Sequence, residues 1–185
     1  IGTELPLTVT QILWVNLIMD TFAAMALASL PPTKDVMDDK PRQQSDYIIN
    51  HSMVRGIMGI GVAMFAVMFI YLIHCFNTGG GMQTHELSMF FTAFVMLQFW
   101  NLFNAKALGT DHSAFRGLCH DKVLTGILVV VFVGQWVIVT FGGKMFRTVP
   151  LSLLDWVYVV AATSLVLWAG EIWRLVARLI TQNGH

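Results

Sequence analysis

Five predominantly apolar stretches, roughly 9–30, 53–76, 87–107, 123–141 and 151–173, constrain this chain more than any other feature. Each holds about 20 residues, the helical length that crosses ~30 Å of hydrocarbon. Inside lipid every backbone N–H and C=O must be satisfied within the segment or a closed barrel, and none of the five shows the apolar/polar alternation of a barrel strand. The expected fold class is therefore all-α: a polytopic membrane protein with five transmembrane helices, forming one membrane domain over residues 1–185. Composition agrees, with 56% hydrophobic and 12% charged residues, against roughly 25% charged in soluble domains. The lipid bilayer is the expected surroundings. A net charge of zero, with the ions clustered between apolar runs, provides no basic field, so no nucleic acid partner is expected.

Turn residues punctuate the runs: Pro31-Pro32 after the first, Gly79-Gly80-Gly81 before the third, Gly109 after it and Gly142-Gly143 after the fourth. Lys34, Lys40, Arg42, Arg55, Lys106, Arg116, Lys122, Arg174 and Arg178 flank the first loop, the third loop and the tail, whereas only Lys144 and Arg147 fall on the other side. The positive-inside rule then puts the first loop, the third loop and the C-terminus in the cytoplasm and Ile1 on the outer side. No signal-peptide pattern opens the chain. It begins abruptly at Ile1, and the expectation is a C-terminal piece of a longer protein.

Within the spans, polar residues are few enough to weigh singly. Asp20 lies in the middle of an apolar run with Asn16 four residues before it, so on a helix the two share a face. A carboxylate at mid-bilayer costs about 2.5–3.5 kcal/mol on insertion scales and marks a functional site by default. Continuing by fours reaches Ala24 and Ala28, small residues that let a neighbouring helix approach. Gln98, Asn101 and Asn104 form an amide ladder, and Gln135 stands alone in the fourth run; interhelical hydrogen bonding is the expected role of all four. Gly59 and Ala63, flanked by Gly56 and Gly61, read as a helix-packing surface. Asp155 and Glu171 are expected near the interfaces, Glu171 within reach of Arg174 three residues on. Of Trp136, Trp156, Trp168 and Trp173, those nearest helix ends read as interfacial anchors. Cys75 and Cys119 are expected as free thiols, and His74, His85, His112 and His120 as helix-end residues without zinc spacing. The longest loop, Thr33 to Asn50, includes Asp38-Asp39 but no EF-hand spacing and reads as solvated.

The string Trp14-Val15-Asn16-Leu17-Ile18-Met19-Asp20-Thr21, followed by small residues and Pro31-Pro32, resembles the sixth transmembrane helix of calcium-transporting P-type ATPases. The helix count and orientation resemble helices six to ten of that family. The resemblance implies that Asn16 and Asp20 are metal ligands, contributing oxygens to a transported calcium ion. Calcium takes six to eight oxygens, so further ligands are implied in an N-terminal part of the same pump, helices one to five, with a Glu on an unwound fourth helix. ATP and magnesium are implied in cytoplasmic domains outside this chain. No Asp-Lys-Thr-Gly-Thr phosphorylation sequence and no G-x-x-x-x-G-K loop occurs here, so no catalytic residue is assigned to this chain. It is expected to be inactive alone.

Two positions refine the resemblance. Where the endoplasmic-reticulum type of calcium pump has Thr and Glu serving a second ion, this chain has Met19, a soft thioether, and neutral Gln98. That pair resembles the plasma-membrane type and implies one ion site and a plasma-membrane location. A secondary transporter, a channel subunit or another P-type cation pump would also bury an acid beside an amide. Transporter folds usually show repeats, and the spans contain no second Asn-x-x-x-Asp. A tail from Trp173 to Leu179 is faintly similar to a calmodulin target.

Overall fold

The computed structural model describes residues 6–30, 51–79, 83–107, 113–115 and 121–182, without the side chains of 19, 20, 51–53, 55, 78, 79, 173 and 177–182. The described residues are helical, with no strand among them. The first span is composite: α1 (Val9–Asn16), a π-helical turn (Leu17–Ala23) and α2 (Ala24–Ala28). Then follow α3 (His51–Gly79), α4 (Thr84–Lys106), α5 (Lys122–Phe141), a short α6 (Gly143–Phe146) and α7 (Leu153–Gln182). Five segments are long and apolar enough to cross a membrane: Val9–Ala28, Gly56–Asn77, Thr84–Lys106, Lys122–Phe141 and Leu153–Val176. The five-span expectation is met. Pro31-Pro32, Gly80, Gly81, Gly109, the Thr33–Asn50 loop, His112, Cys119 and His120 lie outside the described residues.

Helix α4 is the centre of the bundle. Its apolar residues Phe91, Val95, Met96, Leu102 and Phe103 join Val15, Ile18 and Ala26 of the first span, Leu124 and Val131 of α5 and Val159 and Leu167 of α7 in one core. Aromatic rings continue that packing: Phe99 lies 6.3 Å from Phe132, which lies 5.8 Å from Trp156. Trp156 is thus a core residue although it lies near a helix end: its ring is buried against Phe132 of α5 while Leu153 and Leu154 beside it are exposed. Between α4 and α7 the Trp100 indole N–H donates to the Thr163 hydroxyl at 3.1 Å, and the Asn104 amide donates to the Val166 carbonyl at 3.2 Å.

One end of the bundle gathers the starts of α1, α4 and α7. There the Ser88 hydroxyl accepts from the Val149 N–H at 2.9 Å, Thr148 donates to the Ile138 carbonyl at 3.2 Å, and His85 Nε2 lies 3.1 Å from Asp155 Oδ2. Gly143 turns the chain out of α5 at φ +48°, a left-handed conformation that glycine adopts without steric cost. At the other end the Lys106 ammonium donates to Asp121 at 3.0 Å, closing the α4–α5 connection. Glu171 accepts from the Ala114 N–H at 2.8 Å and from Arg174 at 2.7 Å, and Arg174 also donates to Asn104 Oδ1 at 3.1 Å. The expected Glu171–Arg174 pair is present, as the anchor of a larger knot.

Helix α3 is peripheral. It meets α4 through Met64 and Met68 against Phe90 and Leu97, with Tyr71 stacked on Phe90 at 6.1 Å. Cys75 is a buried free thiol. Among the described residues the expected packing face is not covered: Gly59, Gly61 and Ala63 are exposed, and apart from the helix's own adjoining backbone no described atom lies within 4 Å of a Cβ built at either glycine. Bulk explains the choice, since two Met side chains bury more apolar area than glycines can.

Candidate functional site

The first span starts from a capping box: the Thr8 hydroxyl accepts from the Gln11 N–H at 3.3 Å and the Gln11 side chain accepts from the Thr8 N–H at 2.8 Å. Among its described side chains the buried positions are Gln11, Val15, Ile18, Ala23 and Ala26. The steps are four, three, five and three, and the step of five falls in the π turn. An uninterrupted α-helix would carry Phe22 round to the place that Ala23 takes. The extra residue in the turn exchanges a ring for a methyl group, so that α2 can lie close to α5. Single π turns inserted in α-helices recur at functional sites.

The opposite face is left uncovered by the other described residues. Leu13, Asn16, Leu17, Thr21, Ala24, Met25 and Ala28 are exposed. Asn16, Ala24 and Ala28 belong to the stripe read from the sequence, and position 20 shares that face by register. The side chains of Asp20 and Met19 lie outside what the structure describes. Among the described residues no three His, Cys, Asp or Glu side chains come together. The amide and small residues on this face are ill suited to lipid, whose hydrocarbon offers an amide no partner. A protein surface is the fitting cover, and no described helix of this chain provides one.

The covered face is fixed by two polar contacts. The Gln11 amide donates to the Phe146 carbonyl at 2.8 Å, and the Trp14 indole N–H donates to Gln135 Oε1 at 2.9 Å. Gly134 makes the second possible, because a Cβ there would stand 2.9 Å from the Trp14 ring. Gln135 is fully buried and does bond between helices, as its place in an apolar run suggests. Its partner was not legible: 121 residues separate them, and the one signal was a Gly-Gln pair inside an otherwise apolar helix. Of the amide ladder on α4, Asn104 bonds to α7, whereas Gln98 and Asn101 are half-buried without a side-chain hydrogen bond among the described residues.

Residues 4–176 match the family model described as cation transporting ATPase, C-terminus. Plasma membrane calcium-transporting ATPase 2 of Oreochromis mossambicus is 35% identical over 170 residues, covering 86% of this chain and 15% of that protein. Plasma membrane calcium-transporting ATPase mca-1 of Caenorhabditis elegans is 32% identical over 182 residues, 92% of this chain and 14% of that protein. Human plasma membrane calcium-transporting ATPase 3 is 34% identical over 168 residues, 85% and 14% respectively. The chain spans about one seventh of the length of these curated relatives. Matched over almost its whole length and folded into five apolar helices, it belongs to the cation-transporting ATPase family, as that family's C-terminal membrane region.

Proposed function

We propose that this chain is the second half of the membrane domain of a plasma-membrane calcium pump, and that Asn16 and Asp20 are its contribution to the ion site. The observation that carries the reading is the division of the first span: a face buried inside the chain whose polar groups are bonded there, and a face left uncovered by the described residues, with an exposed amide and small residues and, by register, position 20. Calcium takes six to eight oxygens. One amide and one carboxylate supply about half, and the remainder come from helices that cover this face in the longer pump. ATP and magnesium act in its cytoplasmic domains.

The cargo enters from the cytoplasmic side, where this orientation puts the Arg174 end of the bundle. It loses water to the Asn16 carbonyl oxygen and the Asp20 carboxylate. Reorganisation after phosphorylation elsewhere weakens the site and releases the ion outward. Met19 supplies no hard ligand and Gln98 no charge, so one ion moves per cycle. Dehydration raises a carboxylate's proton affinity once the cation has left, and Asp20 then returns protonated.

The test is Asp20→Asn in the full-length pump. Calcium-dependent phosphorylation from ATP is abolished, while calcium-free phosphorylation from inorganic phosphate persists. Calcium-dependent phosphorylation that survives the substitution unchanged removes Asp20 from the site.

A further inference from the structure

The face of α1 turned away from Asn16 holds two features that the ion site does not use. Trp14 sends its indole N–H to Gln135 Oε1 at 2.9 Å, and its ring lies over Gly134, where a Cβ would come within 2.9 Å of one ring carbon and 3.0 Å of another. An indole nitrogen only donates, so the Gln135 atom facing it is the oxygen. The amide nitrogen of that fully buried side chain is left with no hydrogen-bond partner among the described residues. A glutamine in this apolar helix costs desolvation of both ends of its amide, and the indole answers one of them. Leucine would pack the same volume without the penalty.

We infer that Gln135, with Gly134, is a positioning residue for the ion site: it fixes the rotation of α1 about its own axis and so the direction in which Asn16 is presented. Trp14 and Asn16 are two residues apart, which places them about 200° apart around a helix of 3.6 residues per turn. A tether on Trp14 therefore holds the helix from behind while Asn16 faces forward. Apolar contacts of Val15 and Ile18 resist separation of the helices but are non-directional. The hydrogen bond and the glycine notch are directional, and together they admit one rotational setting. Gln11, one turn earlier and bonded to the Phe146 carbonyl, fixes the height of the helix. The inference rests on the reading of Asn16 and Asp20 as calcium ligands.

The experiment uses the full-length pump with Gln135→Leu, Trp14→Phe and the two combined. The half-saturating calcium concentration for phosphorylation from ATP rises roughly three- to tenfold in each single variant, the range a membrane interhelical hydrogen bond supports. The double variant is no worse than either single one, because one contact is lost in all three. Calcium-free phosphorylation from inorganic phosphate stays at the parental level, which a loss of folded protein would not allow. Should Gln135→Leu fail to accumulate, Trp14→Phe, which removes the same hydrogen bond from the other side and keeps an aromatic ring over Gly134, carries the test alone. Unchanged half-saturation, or an equal fall of both phosphorylation reactions, overturns the inference. Asp20→Asn in parallel separates the two layers: if it abolishes calcium dependence while the Gln135 variants do nothing, only the positioning role falls, and if it has no effect both fall.

Discussion

The α4–α7 pair and the first span are both membrane helices carrying polar residues, but they dispose of them in opposite ways. Between α4 and α7, Trp100, Asn104, Thr163, Glu171, Arg174, His85 and Asp155 all find partners inside the chain. The first span spends Gln11 and Trp14 on such contacts and leaves Asn16 and Thr21 exposed. A polar group in a membrane helix that is satisfied by its neighbours is accounted for as structure. One left over on a packed helix has its partner outside the described residues. Gln98 and Asn101 are the exceptions on α4, half-buried without such a partner, and Gln98 sits about 200° round the helix from Trp100, away from α7. Gln98 thus falls on another side of α4, whereas Asn101, three residues from Asn104 and about 60° from it around the helix, keeps close to the α7 side; for Gln98 the contrast lies between helix faces and not between whole helices.

The contrast breaks most visibly at Asn16. In the full-length pump, Asn16→Ala raises the half-saturating calcium concentration by at least about tenfold, the lower end of what losing even an outer-sphere partner does to a metal site. Thermal stability in detergent stays the same, because no described contact is lost. A fall in stability with unchanged calcium dependence would make Asn16 a structural residue.

Arg174→Ala is the reverse case. It takes the counter-charge from the Glu171 carboxylate, only 12% exposed, which keeps the Ala114 N–H as a donor, and removes the Asn104 contact, at a cost of about 2–3 kcal/mol, below the full penalty of a deeply buried pair. Calcium affinity is unaffected. Gly170→Ala attacks the same knot sterically, since a Cβ there would meet Asn104 Oδ1 at 2.3 Å. Overpacking of that kind costs about 1–3 kcal/mol. Both are read as lowered unfolding temperature, and an unchanged temperature in both would show that the Arg174 end is not what holds α4 to α7.

How much of this was legible in the sequence depends on whether the signal was local. The five spans follow from runs of about 20 apolar residues, and the Glu171–Arg174 pair from a spacing of three. Asn16 and Asp20 are legible as candidates because four residues keep to one face in an α-helix. The π turn between them was not legible: the same spacing suits it equally well, and the shift appears only in which residues are buried, Ile18 and then Ala23. Contacts across the bundle, such as Trp14 with Gln135 and Arg174 with Asn104, join residues 121 and 70 apart and leave no periodicity behind. The Gly59–Ala63 surface has no cover among the described residues. Its spacing signals close packing, but α3 packs within this chain through its methionines, and the small-residue face remains exposed.

The smallest effect separates the two ends of the α4–α7 pair. His85 is 49% exposed on its side chain, against 14% for Arg174, and Asp155 does not depend on it, because the Ser152 N–H and hydroxyl also donate to the same carboxylate oxygen at 2.9 and 2.8 Å. When His85→Ala removes the imidazole, Asp155 keeps two donors and its place at the start of α7. An exposed ion pair contributes less than about 1 kcal/mol, so the unfolding temperature moves less than in Arg174→Ala, and calcium affinity does not change. If the two substitutions proved equally costly, burial would not be what distinguishes the ends, and the exposed pair would have to be holding the helices through Asp155 alone.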